Sequence, residues 1–290
     1  MDAITFLIQC LNSLQYGLLL FLIASGLTLI FGIMGVINLA HGSFYMIGAY
    51  MAFTLSSLTG SFGLALLLGI PLAVLLGYLL EWAFFSFLYE RDHLQQVLLT
   101  YGLILVFEEL RSLLVGDEVH GVSPPDWLSG SLPLGHDMSY PVYRLFISAV
   151  CLVVAGLMWW VITRTRLGMK VRAGSVNREM VQSLGINIAL LYRLVFAAGV
   201  AFAVLAGMIS APVASVYPGM GGQVLIVCFV VVVIGGIGSI KGALVAALLV
   251  GFVDTFGKVA LQQAAGALVY LLMAAILLWK PEGLFKASQG

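Results

Sequence analysis

Residues 164–193 read RTRLGMKVRAGSVNREMVQSLGINIALLYR. Six of the chain's 13 cationic side chains fall here, Arg164, Arg166, Lys170, Arg172, Arg178 and Arg193, against the single acid Glu179. Apolar runs long enough to cross a bilayer lie on both sides. A polar segment between two such runs is a loop between membrane spans, and Lys and Arg gather on cytoplasmic loops. The segment therefore indicates both a class of protein and an orientation, with residues 164–193 facing the cytoplasm, where a soluble partner can press on them.

Composition supports that class. The 290 residues are 62% hydrophobic and 9% charged, with a mean hydropathy of +1.10. A soluble domain carries about 25% charged residues, so water cannot solvate most of this surface. Glycine is abundant (33 residues), as expected where membrane helices pack closely. At roughly 20 apolar residues per span, the chain has room for about eight or nine spans, and residues 1–290 read as a single transmembrane domain. A net charge of zero gives no electrostatic basis for binding nucleic acid. Cys10, Cys151 and Cys228 lie far apart in apolar runs, without metal-ligand or disulfide spacing. The start, MDAITFLIQC, has no basic n-region, so its apolar run reads as a retained span.

Spans are expected at about 4–31, 43–58, 62–88, 94–115, 142–163 and 191–211, then at about 222–235, 242–257 and 264–279. Two glycine-rich interruptions punctuate them. Gly32 and Gly35 open the first, GIMGVINLAHG over 32–42, and Gly235, Gly236 and Gly238 form the second; they faintly resemble each other, and paired broken segments can mark a transport pathway, although six residues of Gly and Ile also match by chance. With 164–193 inside, the Arg91 turn also lies inside, while residues 116–141 and the N-terminus lie outside. Two crossings over 222–257, favoured on charge grounds, put Lys241, Lys280 and Lys286 inside, whereas one crossing plus a re-entrant piece leaves the C-terminus outside. The outer segment carries Asp117, Glu118, Asp126 and Asp137, four prolines counting through Pro141, and neither Lys nor Arg. It is a candidate docking surface for a partner with a basic rim.

Within the apolar regions, Asn38 and His41 stand three residues apart, on one face if helical. Irregular backbone at membrane depth survives only where protein or a water-filled cavity satisfies it. Asn38, His41, Ser43 and Thr100 are therefore candidates for a translocation pathway. The alternative is a structural kink in which Asn38 caps a helix and His41 bonds a neighbouring one. Glu81 is a buried carboxylate needing a partner; Glu108 with Arg111, and Asp254 with Lys258, have ion-pair spacing. No phosphate-binding loop, zinc-protease or hydrolase-elbow signature is present. A secondary carrier would cluster buried ionisable groups and a membrane enzyme would converge His, Asp or Glu at one face; the sequence does neither.

The run 25–49, SGLTLIFGIMGVINLAHGSFYMIGA, resembles the permease subunits of the branched-chain (hydrophobic) amino-acid ABC importers, in particular the LivH-type half. RTRLGMKVRA (164–173), NREMVQSLGIN (177–187) and VIGGIGSIKGA (233–243) agree in order and spacing. The family commonly has Glu-Arg and then Arg-Pro at the end of the third span; here Trp82 follows Glu81, and Ser86-Phe87 stands where Arg-Pro falls. The resemblance implies an all-α, polytopic, type II-like importer permease in a bacterial inner membrane. It implies a second, LivM-like permease and two cytoplasmic ATPases that hold the ATP and magnesium, so no cofactor in this chain, and a periplasmic solute-binding protein that delivers cargo. Relatives import urea, amides and aromatic or other carboxylates as well as leucine-like amino acids. It also implies that Arg172, Asn177, Arg178, Glu179, Leu184 and Gly185 belong to a coupling segment resting on an ATPase. Independently, Asn177 is a good helix N-cap and Gly185 a good terminator.

Overall fold

The computed structural model describes residues 3–89, 91–135, 138–260 and 265–285; Glu90, Asp137 and Lys286 lie outside them. Eleven helices are found among the described residues: α1 (Ala3–Met34), α2 (His41–Thr59), α3 (Phe62–Ala83), α4 (His93–Val115), α5 (Val142–Arg164), α6 (Arg166–Val176), α7 (Arg178–Ser183), α8 (Ile188–Ser210), α9 (Met220–Gly235), α10 (Ile240–Ala260) and α11 (Ala265–Trp279). Before α5, an antiparallel hairpin pairs β1 (Ser131–Gly135) with β2 (Met138–Pro141). It replaces part of the irregular loop expected there.

Five stretches, Ala3–Met34, Phe62–Phe87, Val142–Arg164, Ile188–Ser210 and Ile240–Ala260, are long and apolar enough to cross a membrane. The other expected spans are shorter or more polar. α9 has 16 residues, about 24 Å, less than the roughly 30 Å hydrocarbon core. α2 opens on His41, Gly42 and Ser43, and α4 closes on Glu108, Glu109 and Arg111.

Small residues set the helix directions. Gly17 packs on Ala247 and Leu248, and Gly251 on Ser13 and Gly17. Rising numbers on α1 thus meet falling numbers on α10, and the two are antiparallel. α8 touches α1, α2 and α3, with Gly26 against Gly199 and Gly77 against Ala197. The ends of α1, α5 and α9 gather with α6 and α7 on one side, called the basic face; the hairpin lies on the other.

The interruptions fall later than their glycines suggest. Gly32 stays inside α1, which continues to Met34, and Gly35 (φ 67°) starts the break. Gly235 is still helical; Gly236 (φ 95°) and Gly238 (φ 81°) make the second turn. The cause for Gly32 is packing: a Cβ there would lie 2.7 Å from Gly238 Cα. The two similar motifs therefore meet at the basic face.

After Gly35 the chain doubles back into the bundle. The His41 Nε2–H donates to Ile23 O (2.9 Å), about three turns before the end of α1, so α2 begins part-way through. Gly42 there abuts Gly221, at the start of α9. Two helix N-termini thus adjoin inside the protein, α2 leading toward the hairpin side and α9 toward the basic face. A Cβ on Gly42 would lie 2.7 Å from Leu225 Cβ and closer still to Gly221 O. Gly222 has open space within 4 Å. Overpacking a close junction costs about 1–3 kcal/mol, so Gly42→Val is expected to lose about that much stability in detergent unfolding, and Gly222→Val little. Equal melting of the two variants contradicts the junction.

Candidate functional site

Asn38, His41 and Thr100 are fully buried, and Ser43 is nearly so. Asn38 Oδ1 accepts the Ala40 N–H (3.0 Å), an Asx turn rather than a side-chain cap; α2's N-cap is Ala40, without one. Thr100 Oγ1 donates to Gln96 O in its own helix. Asn38 Nδ2 and His41 Nδ1 are buried with no hydrogen-bond partner among the described residues, as is Thr28 Oγ1 in α1. The break therefore has polar capacity in reserve but sits behind the protomer's surface, touching none of the cavities described below.

The basic face is built from three capped helices. Thr165 Oγ1 accepts the Gly168 N–H at the start of α6, Asn177 Oδ1 the Met180 N–H (2.9 Å) at α7, and Asn187 Oδ1 the Leu190 N–H (3.0 Å) at α8. Gly185 (φ 79°) ends the α7 turn. Arg172 donates to Ile162 O, closing the last turn of α5. Glu179 and Leu184 are exposed. Val176 at the end of α6, Met180 in α7 and Leu184 at the C-terminal end of α7 are 62%, 64% and 72% exposed.

Behind α7 lies a network that sequence spacing did not reveal. The Glu81 carboxylate, fully buried, accepts from Arg193 Nε (2.9 Å) and from the Tyr89 hydroxyl. The Arg178 guanidinium lies over the rings of Tyr89 (5.8 Å) and Tyr192 (5.7 Å), which stand edge to face. Arg193 in turn covers Tyr78 (5.8 Å). Burial, and then the bond to Glu81, push the Tyr89 phenol well above its usual range. α7 is thereby tied to the end of α3 and the start of α8. Gln96 does similar work for the first break: its Oε1 accepts the Ile37 N–H (3.3 Å), and its Nε2 donates to Leu88 O and Arg91 O. The Gln95-Gln96 pair near the start of an apolar helix was its only sequence signal.

On the hairpin side, Arg111 bonds Glu108 (3.2 Å), as its spacing suggested, and also Asp117 (2.9 Å). Arg111 and then Ser112 hold the Asp117 carboxyl below its usual range. The sign follows: this pairing is present at neutral pH and is lost as pH falls through the depressed value. Glu118 and Asp126 keep exposed carboxylates, without an ion pair among the described residues. Asp126 and the 71% exposed Trp127 edge a cavity of about 500 Å³ between the end of α2, the start of α3 and residues 121–127. Asp254 and Lys258 pair at 2.5 Å. No group of three His, Cys, Asp or Glu that could hold a metal occurs among the described residues.

Removing one partner of a buried ion pair strands the other charge, at about 3–5 kcal/mol. Arg193 is partly solvated, with its side chain 26% exposed, so Arg193→Met should cost stability, by stranding Glu81, but less than breaking a fully buried pair does. Glu81→Gln combined with Arg193→Met should recover most of it. Thermal unfolding in detergent checks this, and additive losses would contradict the coupling.

Residues 9–279 match the family described as branched-chain amino acid transport system, permease component. The chain is 30% identical to the high-affinity branched-chain amino acid transport system permease protein BraD of Pseudomonas aeruginosa, covering 96% of this chain and 95% of that protein. It is 28% identical to LivH of Escherichia coli (96% and 95% covered) and 27% identical to LivM of the same organism (91% and 67% covered), both named as permease proteins of the same kind of system. No solved structure matches. A multi-pass chain with broken helices and a capped basic face thus belongs to the family of branched-chain amino acid transport permease components.

Proposed function

We propose that this permease forms half of an ATP-driven import pathway for branched-chain or similar hydrophobic amino acids, with α7 as the segment that receives an ATPase. One observation supports this: Met180 on α7 and Leu184 at its C-terminal end are exposed apolar side chains, 64% and 72% accessible, on the short capped helix of the basic segment. Exposed apolar side chains four residues apart on a short helix are what such an element presents to a partner's groove. Asn177 caps α7 and Gly185 ends it, and Arg178 ties it to Tyr89 and Tyr192.

The positive-inside bias puts the basic face in the cytoplasm and the hairpin in the periplasm of a bacterial inner membrane. Similarity to both LivH and LivM favours pairing with a related second permease. A periplasmic binding protein then docks beside the hairpin. Arg111 neutralises Asp117, so Glu118 and Asp126 supply the steering charge among the described residues; Asp137 lies outside them. The Asn38–His41 break, buried where α2 and α9 adjoin, packs behind the pathway as the point that shifts when the two half-helices part.

The test is co-reconstitution with the partner permease, ATPases and binding protein. Met180→Asp with Leu184→Asp should insert and melt like the native chain, yet lower substrate-stimulated ATP hydrolysis and uptake by about tenfold or more, since two stranded charges in an apolar groove cost several kcal/mol. Native stimulation in that variant places the coupling surface elsewhere.

A further inference from the structure

The basic face holds more cations than coupling uses. Arg172 bonds α5, Arg178 sits on Tyr89 and Tyr192, and Arg193 pairs with Glu81. Arg164, Arg166 and Lys170 are exposed and have no ion pair, hydrogen bond or ring contact among the described residues. No Asp or Glu occurs between positions 138 and 178, so no acid of α5 or α6 balances them.

Beside these cations an apolar groove of about 440 Å³ runs between α5, α6 and α8. Leu167 and Val171 of α6 line it with Met158 of α5 and Leu191 and Phe202 of α8. Arg166 and Lys170 each precede a lining residue, so they flank the apolar stripe of α6 along its length. Their long stems can lie on the groove's edge with the charges in the headgroup layer. Trp159 and Trp160, 56% and 54% exposed, mark the depth of that layer, because tryptophan concentrates at the membrane–water boundary. Gly168 packs directly on the end of α5 at Val161 and Ile162, which holds α6 against the groove.

We propose that this groove is a binding site for an anionic glycerophospholipid of the adjoining leaflet. An acyl chain occupies the space between α5, α6 and α8, and Arg164, Arg166 and Lys170 hold the phosphate. The lining is apolar and the rim is cationic, as that amphiphile requires. A zwitterionic lipid would bring its own cation to the same rim. Each basic residue near an anionic lipid surface contributes about 1 kcal/mol, roughly fivefold in affinity. Two rim cations should therefore account for about a 25-fold preference.

The purified full-length chain can be titrated with phosphatidylglycerol and with phosphatidylcholine of identical chains, and retained lipid read by native mass spectrometry. The expected result is retention of phosphatidylglycerol with at least tenfold preference. That preference should be lost in the pair Arg166→Gln, Lys170→Gln and kept in Arg166→Lys, Lys170→Arg. The pair Arg91→Gln, Lys241→Gln removes the same charge from this face away from the groove and should bind as the native chain does. Millimolar inorganic phosphate should not displace the lipid, because phosphate has no chain to seat. Equal retention of the two lipids, an equal loss in the Arg91 and Lys241 pair, or displacement by phosphate would each overturn the site. It is also overturned if the Arg166 and Lys170 pair retains lipid normally and instead fails to assemble with the ATPase, since the cations then serve a protein contact.

Discussion

The breaks at 35–40, before α9 and after α9 answer one constraint: a backbone N–H or C=O left unpaired in apolar surroundings costs several kcal/mol. The chain breaks inside the bundle and stitches each break. At residues 35–40, Gln96 takes the Ile37 N–H, Asn38 the Ala40 N–H, and His41 bonds the Ile23 carbonyl. Between α8 and α9, His120 and Val216 exchange two backbone bonds of 2.8 and 2.9 Å. At the end of α9, the Leu284 and Phe285 N–H groups reach the Ile234 and Gly235 carbonyls. Apart from the local Asn38 turn, the repairs come from remote segments, so a break cannot move without disturbing its neighbour.

α8 links these sites. Its first turns carry Tyr192 and Arg193, which join it to α7 and α3. Its middle packs on α1 and on the buried break through Gly199 and Gly26. Its far end bonds α2 and α5, Ser210 with the Tyr45 hydroxyl (2.7 Å) and Ile209 O accepting from the Tyr143 hydroxyl (2.8 Å). A force on α7 thus reaches the junction of α2 and α9 through contiguous packed groups, the physical requirement for coupling between distant sites.

Much of this was legible in the sequence because it depends on local chemistry. Hydropathy located the helices to within a few residues, and Asn177 and Gly185 marked a short helix whose cap and positive φ the structure shows. The Glu108–Arg111 and Asp254–Lys258 pairs followed from spacing. Contacts between remote segments were not legible. Nothing in the local pattern ties Glu81 to Arg193, sends Arg111 up to Asp117, or brings α2's start back to the level of Ile23. The same limit explains Gly32: composition reads it as a helix breaker, whereas packing against Gly238 keeps it helical. Leu184 is legible as part of the motif NREMVQSLGIN, whereas its exposure beside that of Met180 is a property of the fold.

The central claim is that α7 seats on an ATPase. Hydrogen exchange of the residue 178–184 amides, followed in the permease with and without its ATPase partners, tests it most directly. The expected result is strong slowing confined to α7 and its flanks when the ATPases are bound. Unchanged exchange there, with protection appearing at another part of the basic face, would contradict the account.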